Sequence, residues 1–235
     1  MIDVVLPCFI RSEEILELTK TAIESLGKVR LIVIDNASSV GGGYLRSVSD
    51  VYIRNRENLG YAISVNQGLK LSKSEYITIA NNDIVASSNW QKIAIEIFKE
   101  DPNAYSIHPR MIPYDEEFRY GSLTVNTGME RWCTSSFFTI RTQNPQLYDE
   151  NFMNSYDDWD YWLRIRKQGL HTVFTQKSCY KHKQSSIRVS MPKHEESERK
   201  NKEYFTRKWG GTAEELFAKE FPEQMKREYR EGFLL

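Results

Sequence analysis

The sequence predicts an α/β fold in which a mainly parallel central sheet is flanked by helices. Short β-branched segments alternate with helical patterns through the first half of the chain, which is typical of strand–helix–strand units. The 235 residues are 40% hydrophobic and 27% charged, a balance that favours a packed domain over a disordered or coiled-coil chain. From residue 192 onward, apolar residues at helical spacing within a highly charged segment predict a helical C-terminal appendage.

The helices of the first half have recognisable start and stop signals. Ser12 is the expected N-cap of the first helix and Gly27 its expected end. A second helix is predicted over residues 62–71, and a third from an S-x-x-Q capping box at 88–91 to the residue before Pro102. The strands that alternate with these helices are predicted at residues 2–6, 31–35, 51–54 and 76–80, with a flexible glycine turn at 41–43.

The second half begins with a long irregular segment at residues 109–132, and a loop of that length in a compact domain is usually functional. Strand-like runs at 137–140 and 172–175 flank a predicted helix that opens with Asp157 and closes at Gly169. We therefore divide the chain into a domain at residues 1–191, with halves at 1–110 and 111–191, and the appendage at 192–235.

Charge, cysteine content and missing motifs exclude several classes of protein. The 32 basic and 32 acidic residues cancel, so no overall field attracts nucleic acid or an anionic bilayer. Three cysteines without a C-x-x-C pair fit a reducing compartment better than a disulfide framework or a zinc site. Since no signal-peptide or membrane-span pattern is present, we expect a cytoplasmic protein with at most peripheral contact at the inner face of the membrane. The lack of G-x-G-x-x-G, G-x-x-x-x-G-K-[ST] and G-x-S-x-G motifs counts against dinucleotide oxidoreductases, P-loop NTPases and α/β-hydrolases.

Polar residues follow the predicted parallel strands at their carboxyl ends, where such sheets place ligands. Asp35 ends the second strand, and Asn81-Asn82-Asp83 follows the fourth. Carboxylate and amide oxygens at this edge can hold Mg²⁺ or Mn²⁺. Asn-Asn-Asp is also an ordinary turn sequence, so both interpretations stay open.

Three carboxylates within four positions, Asp157, Asp158 and Asp160, form a second candidate site. They repel one another unless a cation, a helix N-terminus or a basic partner offsets their charge. One interpretation is that they cap the helix. The other is that one acts as a general base while another pairs with Arg164, one turn beyond Asp160.

His182 is the third candidate, because Lys181, Lys183 and Ser186 surround it with hydrogen-bond donors. Such a group can complete a diphosphate site. A solitary histidine is also common at surfaces and in cores, so the structural interpretation stays open as well.

Seven short motifs occur in consistent order over about residues 2–210. They are Val4-Val-Leu-Pro7, Val33-Ile-Asp-Asn-Ala-Ser38, Asn58-Leu-Gly-Tyr-Ala62 with Asn66-Gln-Gly68, Tyr76-Ile-Thr-Ile-Ala-Asn-Asn-Asp83, Tyr148-Asp-Glu-Asn-Phe152 before Asp157-Asp-Trp-Asp160 and Leu163-Arg164, His182, and Tyr204-Phe-Thr-Arg-Lys-Trp-Gly210. In this order they resemble the GT-A-fold glycosyltransferases of family 2, particularly the rhamnosyltransferase-like branch. The resemblance makes residues 1–110 the nucleotide-sugar donor half and residues 111–191 the acceptor and catalytic half.

The resemblance also implies roles for individual residues. The residues implied to bind the nucleotide sugar are Pro7, Phe9, Asp35, Asn58, Asn81, Asn82 and Asp83. Within this set, Asp35 would accept from the base and Asn58 would lie beside the ribose and phosphates. Asp83 matches the second acid of the family's metal-binding Asp-x-Asp motif, while Asn81 replaces the first acid.

On the catalytic side, Asp158 resembles the family's base, and Asp157 replaces the usual glutamate before it. His182 resembles the late histidine that reaches the metal or the diphosphate. Asp157 and Asp160, together with the aromatic residues Tyr120 and Trp132, are expected on the acceptor side.

The implied activity is inverting transfer of a hexosyl or deoxyhexosyl group, with Mn²⁺ or Mg²⁺, in polysaccharide biosynthesis. The donor would be a UDP-, dTDP- or GDP-sugar, the acceptor a hydroxyl of a glycan or glycolipid, and nucleic acid is not an expected partner. Two other classes compete with this interpretation. A non-catalytic nucleotide-sugar or glycan-binding module would explain Asn81. A nucleotidyltransferase uses a similar sheet and an acid-bound metal, but this sequence has no glycine-rich basic loop after its first strand.

Overall fold

The structure is a computed structural model that describes residues 2–122, 124–126, 135–183 and 194–220. Within these ranges, strands and helices alternate through the first half of the chain, as the sequence predicts. The strands are β1 (Asp3–Cys8), β2 (Arg30–Asp35), β3 (Val51–Arg54), β4 (Tyr76–Ala80), β5 (Ile84–Ala86), β6 (Ala104–Ile112), β7 (Thr124–Asn126), β8 (Phe137–Arg141) and β9 (His171–His182). The helices are α1 (Glu13–Leu26), α2 (Gly42–Val48), α3 (Tyr61–Leu69), α4 (Trp90–Glu100), α5 (Asp157–Lys167), α6 (His194–Trp209) and α7 (Ala213–Glu220).

All described strands belong to one sheet with the order β3-β2-β1-β4-β8-β6-β9-β5, and β7 pairs with β9. Strands β3, β2, β1 and β4 are mutually parallel. Strand β8 enters antiparallel between β4 and β6, and β9 is parallel to β6 but antiparallel to β5 and β7. The predicted α/β class is confirmed, with a parallel first half and a mixed second half.

Helix α1 begins and ends where its sequence signals indicate. The Ser12 side chain accepts a hydrogen bond from the amide of Ile15, and Gly27 ends the helix at φ 69°. The capping box predicted for α4 is not formed, since Asn89 is the N-cap and makes no side-chain cap bond. Instead, the Gln91 amide donates to the Leu26 carbonyl at 2.9 Å and so satisfies the end of α1.

Two predicted irregular segments contain regular structure. The prediction of a flexible turn at 41–43 is wrong, because helix α2 begins at Gly42, directly after its N-cap Gly41 at φ 78°. A Cβ on Gly42 would lie 3.2 Å from Nη1 of Arg54, so glycine allows α2 to approach β3 closely. The segment 109–132 starts inside β6 and includes β7.

The C-terminal helices complete the core of the described domain. Phe205 of α6 and Phe217 of α7 are fully buried in the cluster that also contains Tyr161 and Leu163 of α5. Phe217 meets Trp159 edge-on at 4.4 Å between ring centroids. The domain boundary at residues 191 and 192 lies outside the described residues, so the predicted division stays a prediction. None of the helices in the described ranges is long and apolar enough to cross a membrane.

Candidate functional site

Asp83 and His182 lie together at the carboxyl edge of the parallel strands. Asp83 precedes β5, and the antiparallel register pairs Ile84 of β5 with His182 of β9. Nε2 of His182 is therefore 3.1 Å from Oδ1 of Asp83, and both side chains are largely buried. Nδ2 of Asn81 lies 3.5 Å from the same imidazole nitrogen. The sheet thus brings together three residues that the family resemblance links to one site.

The Asn81, Asp83 and His182 side chains fit a divalent cation. Oδ1 of Asn81 is buried and has no hydrogen-bond partner in the described structure, so an acceptor is left for an additional positive group. Carboxylate, amide and imidazole groups are acceptable ligands for Mn²⁺. No group of three or more histidine, cysteine or acidic side chains in the described ranges could hold a metal by itself. A cation here would take its remaining ligands from a bound molecule or water.

Asn82 does not join this group. Its side chain is 3% exposed and donates to Oγ1 of Thr19 in α1 at 2.9 Å. The residue between Asn81 and Asp83 therefore ties the turn to the helix behind the sheet.

Asp35 lies at the predicted edge, but protein donors satisfy its buried carboxylate. Its Oδ1 accepts from the amide of Ser38 at 2.8 Å, and its Oδ2 accepts from the Tyr52 hydroxyl at 2.6 Å. Nη1 of Arg54 donates to the same Oδ2, while Nη2 of Arg54 donates to the Ser38 carbonyl. The arginine side chain is 44% exposed, so Asp35 holds a solvent-accessible guanidinium at this edge.

The other residues predicted to bind the nucleotide are distributed over the same edge. Pro7 is buried in β1, and Phe9 follows that strand with the Arg11 guanidinium 5.4 Å from its ring centroid. Oδ1 of Asn58 accepts from the amide of Gly60 at 3.0 Å and so shapes the loop before α3. The convergence of the strand ends predicted from the sequence is present.

Asp157 and Asp158 open helix α5, and their charges act on the Tyr61 phenol. Burial raises the pKa of the Tyr61 phenol well above its ordinary value, and the charges of Asp157 and Asp158 raise this pKa further. The same tyrosine donates to the Ser135 carbonyl at 2.6 Å. The Ser136 carbonyl accepts from the amide of Asn81 at 2.8 Å. The Ser135-Ser136 dipeptide therefore connects Tyr61, whose pKa the acid pair raises, to Asn81 of the other cluster.

Asp160 points toward the C-terminal helices and not toward the acid pair. Its Oδ2 accepts from Nε of Arg164 at 2.9 Å, which confirms the predicted ion pair. Its Oδ1 accepts from Nε1 of Trp209 at 2.9 Å and lies 2.6 Å from Nζ of Lys208. The fully buried carboxylate holds α6 against α5, so the structure does not bring it to the acceptor side.

The predicted acceptor side is described only in part. Tyr120 is 53% exposed, and Trp132 and Ser186 lie outside the described residues. The ammonium groups of Lys181 and Lys183 lie 5.1 Å and 5.6 Å from the ring centroids of Phe118 and Tyr114, respectively. The segment after β6 therefore packs beside the end of β9 that carries His182.

Sequence reasoning missed Tyr61, Asn154 and Asn201, and it placed Arg54 at this edge only as the end of a strand, without its bond to Asp35. Tyr61 belongs to the quoted Asn58-Leu-Gly-Tyr motif, so its position was visible although its contacts were not. Asn154 has φ 60°, a conformation that asparagine adopts more readily than most residues, and this preference is a usable signal. The contacts of Arg54 and Asn201 depend on tertiary packing alone.

Comparison with known proteins identifies a sequence family and solved structures of similar fold. A family model described as glycosyl transferase family 2 matches residues 3–162. No curated protein matches the chain. Solved structures of similar fold include S. aureus TarS 1-349, with a TM-score of 0.58 and 14% identity over 77% of this chain and 60% of that one. The same protein with UDP-GlcNAc has a TM-score of 0.57 and 13% identity over 81% of this chain and 61% of that one. The mannosyltransferase PcManGT from Pyrobaculum calidifontis, with GDP-Man and Mn²⁺, has a TM-score of 0.60 and 13% identity over 80% of this chain and 59% of that one. The chain thus spans about three fifths of each of these structures, and at this identity they show the fold alone.

Proposed function

Because the chain belongs to glycosyl transferase family 2, we propose that it transfers a sugar from a nucleoside-diphosphate sugar to an acceptor hydroxyl with inversion at the anomeric carbon. The observation that carries this proposal is the pairing of Asp83 with His182 beside the buried amide oxygen Oδ1 of Asn81, which has no hydrogen-bond partner in the described structure. Asp157 and Asp158 belong to a different element, the first turn of α5. Because a displacement needs its base on the face opposite the leaving group, the base is proposed from this second element.

The carboxyl edge of β1, β2 and β3 is the proposed nucleotide pocket, with Pro7, Phe9, Asp35 and Asn58 in its wall. Asp35 contributes to nucleotide binding by holding the Arg54 side chain in place. The terminal nitrogens of this guanidinium, Nη1 and Nη2, can also donate to a base or a phosphate. UDP-, GDP- and dTDP-sugars are the donors proposed. The solved structures that contain UDP-GlcNAc and GDP-Man support the first two classes.

Asp83 and His182 would hold Mn²⁺ or Mg²⁺, with the amide oxygen of Asn81 as a third ligand. Such an ion, when bound, neutralises charge on the departing diphosphate. The buried Oδ1 of Asn81 without a partner and the donor set support this assignment. The PcManGT structure with Mn²⁺ adds support from a protein of similar fold.

Asp158 is the proposed general base. Its side chain is partly exposed at the N-terminus of α5, whereas Asp157 is 6% exposed and less able to reach an acceptor. The carboxylate takes the proton from the acceptor hydroxyl as that oxygen bonds to the anomeric carbon. The bond from that carbon to the diphosphate oxygen breaks, and its electron pair leaves with the nucleoside diphosphate.

The acceptor is proposed to be a glycan or a glycolipid that lies against residues 111–191. Tyr120 supports this placement because an exposed aromatic ring can stack on a sugar, and Trp132 is proposed beside it. A deoxyhexosyl donor of the rhamnosyltransferase-like branch, polysaccharide biosynthesis and a cytoplasmic location complete the proposal.

A donor screen with product analysis tests the function. UDP-, GDP- and dTDP-sugars are added with Mn²⁺, and thermal stabilisation identifies the donor, since a ligand at 100 times its Kd adds about 2.7 kcal/mol. We expect the stabilising donor to release free nucleoside diphosphate when acceptor glycans are supplied. Stabilisation without release would identify a binding module, and pyrophosphate release would identify a nucleotidyltransferase.

A further inference from the structure

The backbone immediately before the acid pair is held in an uncommon conformation. Asn154 has φ 60° and Tyr156 has φ 62°, in the left-handed region that residues with a side chain seldom adopt. Two such residues in three positions persist only where surrounding contacts fix them. Asp157 and Asp158 follow at once, so their direction depends on what holds this loop.

Asn201 of α6 supplies these contacts. It is 4% exposed, and its Nδ2 donates to the Met153 carbonyl at 2.9 Å, to Oγ of Ser155 at 2.8 Å and to the Ser155 carbonyl at 3.1 Å. Its Oδ1 accepts from the amide of Met153 at 3.3 Å. Ser197, one helical turn earlier, also donates to the Met153 carbonyl, at 3.1 Å. One amide side chain therefore fixes both residues that flank Asn154.

The opposite side of the loop rests on the start of α3. Oδ1 of Asn154 accepts from the amide of Tyr61 at 2.9 Å. A Cβ on Gly60 would lie 2.7 Å from Sδ of Met153, so the Met153 side chain occupies the space that a side chain at position 60 would need. The loop is thus clamped between α6 on one side and the donor half on the other.

We propose that Asn201 is a positioning residue that directs the Asp157-Asp158 pair toward the acceptor hydroxyl. This inference rests on the proposed function of the pair. In the described part of the chain, the side-chain hydrogen bonds of Asn201 go to Met153 and Ser155 of the loop, and Asn201 acts through the two left-handed residues beside them. Helix α6 does not need it to stay docked, because Phe205 is fully buried and Lys208 bridges Asp149 and Asp160.

The Asn201→Asp variant is the most direct test. It keeps the shape and the acceptor for the Met153 amide, but it replaces the donor with an oxygen that faces two carbonyl oxygens. We expect kcat to fall about 10- to 100-fold, because misplacing a reacting group by about 1 Å has effects of this size. The KM for the donor and the affinity for UDP or GDP should stay within about twofold of wild type. Hydrogen exchange of the amides at 153–160 should accelerate.

Tyr204→Phe is the matched control on the same helix. It removes the hydroxyl that donates to Oδ2 of Asp149 at 2.9 Å but leaves the contacts of Asn201 in place. We expect a comparable loss of thermal stability with kcat and exchange at 153–160 unchanged. If Asn201→Asp does not fold, Ser197→Ala removes a single exposed donor to the same carbonyl and should reduce kcat a few-fold.

The outcomes separate this inference from the function on which it rests. A wild-type chain that turns over none of the nucleotide sugars overturns both. In an active enzyme, unchanged kcat or unchanged amide exchange in the Asn201 variant overturns the positioning inference alone. Equal losses of kcat in Asn201→Asp and Tyr204→Phe would also overturn it, because general loosening of α6 would then explain the effect.

Discussion

Nε2 of His182 lies 3.1 Å from Oδ1 of Asp83, although the two residues belong to segments far apart in the sequence. The contact depends on the antiparallel pairing of β5 with β9, which continues as the Lys183 amide donates to the Asp83 carbonyl at 3.0 Å. Backbone hydrogen bonds on both sides of the pair therefore fix its geometry. Such preorganisation is what a site that holds a charged ligand requires.

The metal site can be tested by binding alone. Asp83→Asn and His182→Ala should each weaken Mn²⁺ binding in the presence of UDP or GDP at least about tenfold, because each removes one of few protein ligands. Asn81→Asp should tighten it by adding a carboxylate. Free Mn²⁺ measured by electron paramagnetic resonance provides the readout. Asp50→Asn, a charge-matched change that lies outside the proposed site, is the control, and equal effects of Asp50 and Asp83 would refute the assignment.

Asp158→Asn should reduce sugar transfer by about 10²- to 10⁴-fold, because a sugar hydroxyl is a poor nucleophile without a base. Donor affinity should persist, since the proposed nucleotide pocket is formed by the carboxyl edge of β1, β2 and β3 and not by α5. Initial rates and nucleotide titrations of the same preparation measure both. Asp157→Asn should cost less, and transfer at the wild-type rate by Asp158→Asn with an inactive Asp157 variant would move the base to the neighbouring position.

Asp35→Asn should weaken UDP, GDP and dTDP binding to a similar degree, because the carboxylate acts by holding Arg54 in place. It should also lower the free energy of unfolding by about 1–3 kcal/mol, since it leaves the charged Arg54 guanidinium without its carboxylate partner. Calorimetric titration with the three nucleotides checks the first effect. Selective loss for one base would instead indicate direct contact between Asp35 and that base. Tyr52→Phe removes one donor to Asp35 and should give a smaller loss of stability.

Asp149 should make the docking of α6 sensitive to acid. Burial raises the pKa of its carboxyl, but hydrogen bonds from Lys208, Asn151 and Tyr204 outweigh burial and lower the pKa from 3.8 to about 2. Because the folded-state pKa is the lower one, this stabilisation is complete above about pH 4 and is lost as the pH falls through about 2. Asp149→Asn should therefore cost about 1–2 kcal/mol at pH 7 and progressively less below pH 4. Denaturant titrations of both proteins across this range measure the difference.

His108 should make the core sensitive to acid over a higher range. Burial lowers the pKa of this histidine from 6.5 to about 3, and its ring stacks on Phe138 at 5.2 Å between centroids. Below pH 6.5 the unfolded chain binds a proton at His108 that the folded chain does not bind. The free energy of unfolding therefore falls by up to about 1.4 kcal/mol for each unit by which the pH is lowered. His108→Phe should flatten this dependence. Ser106→Ala removes the hydroxyl that lies 2.9 Å from Nε2 of His108 but keeps the imidazole, so it should retain the slope.

Local signals made parts of the fold predictable, and tertiary contacts decided the rest. Ser12 and Gly27 bound α1 as expected, because a cap and a stop act within one turn of the helix. The start of α2 at Gly42 could not be predicted, since glycine is needed there only because Arg54 approaches from another strand. Strand β5 spans Ile84–Ala86, which is too short for a hydrophobic period to reveal it.

The candidate site divides in the same way. Parallel strands explain why Asp35 and Asn81 share an edge, and this follows from the strand pattern. The partners of Asp160 do not follow from it, because the carboxylate turns toward Lys208 and Trp209 only once α6 has docked. The sequence motif identifies which carboxylates are candidates for the site. The packing of helices that are distant in the sequence determines which partners each carboxylate faces.

The hydrogen bonds between α3 and the second half of the chain limit how this protein could be recombined with its relatives. Tyr61 and Asn66 of α3 bond to Ser135, Tyr148, Glu150 and Asn154. A chimera that exchanges residues 1–110 to alter donor choice would separate each of these partners. A functional chimera would have to carry residues 135–156 together with residues 1–110. The segments that would have to be exchanged together are therefore discontinuous in the sequence, although they are in contact in the structure.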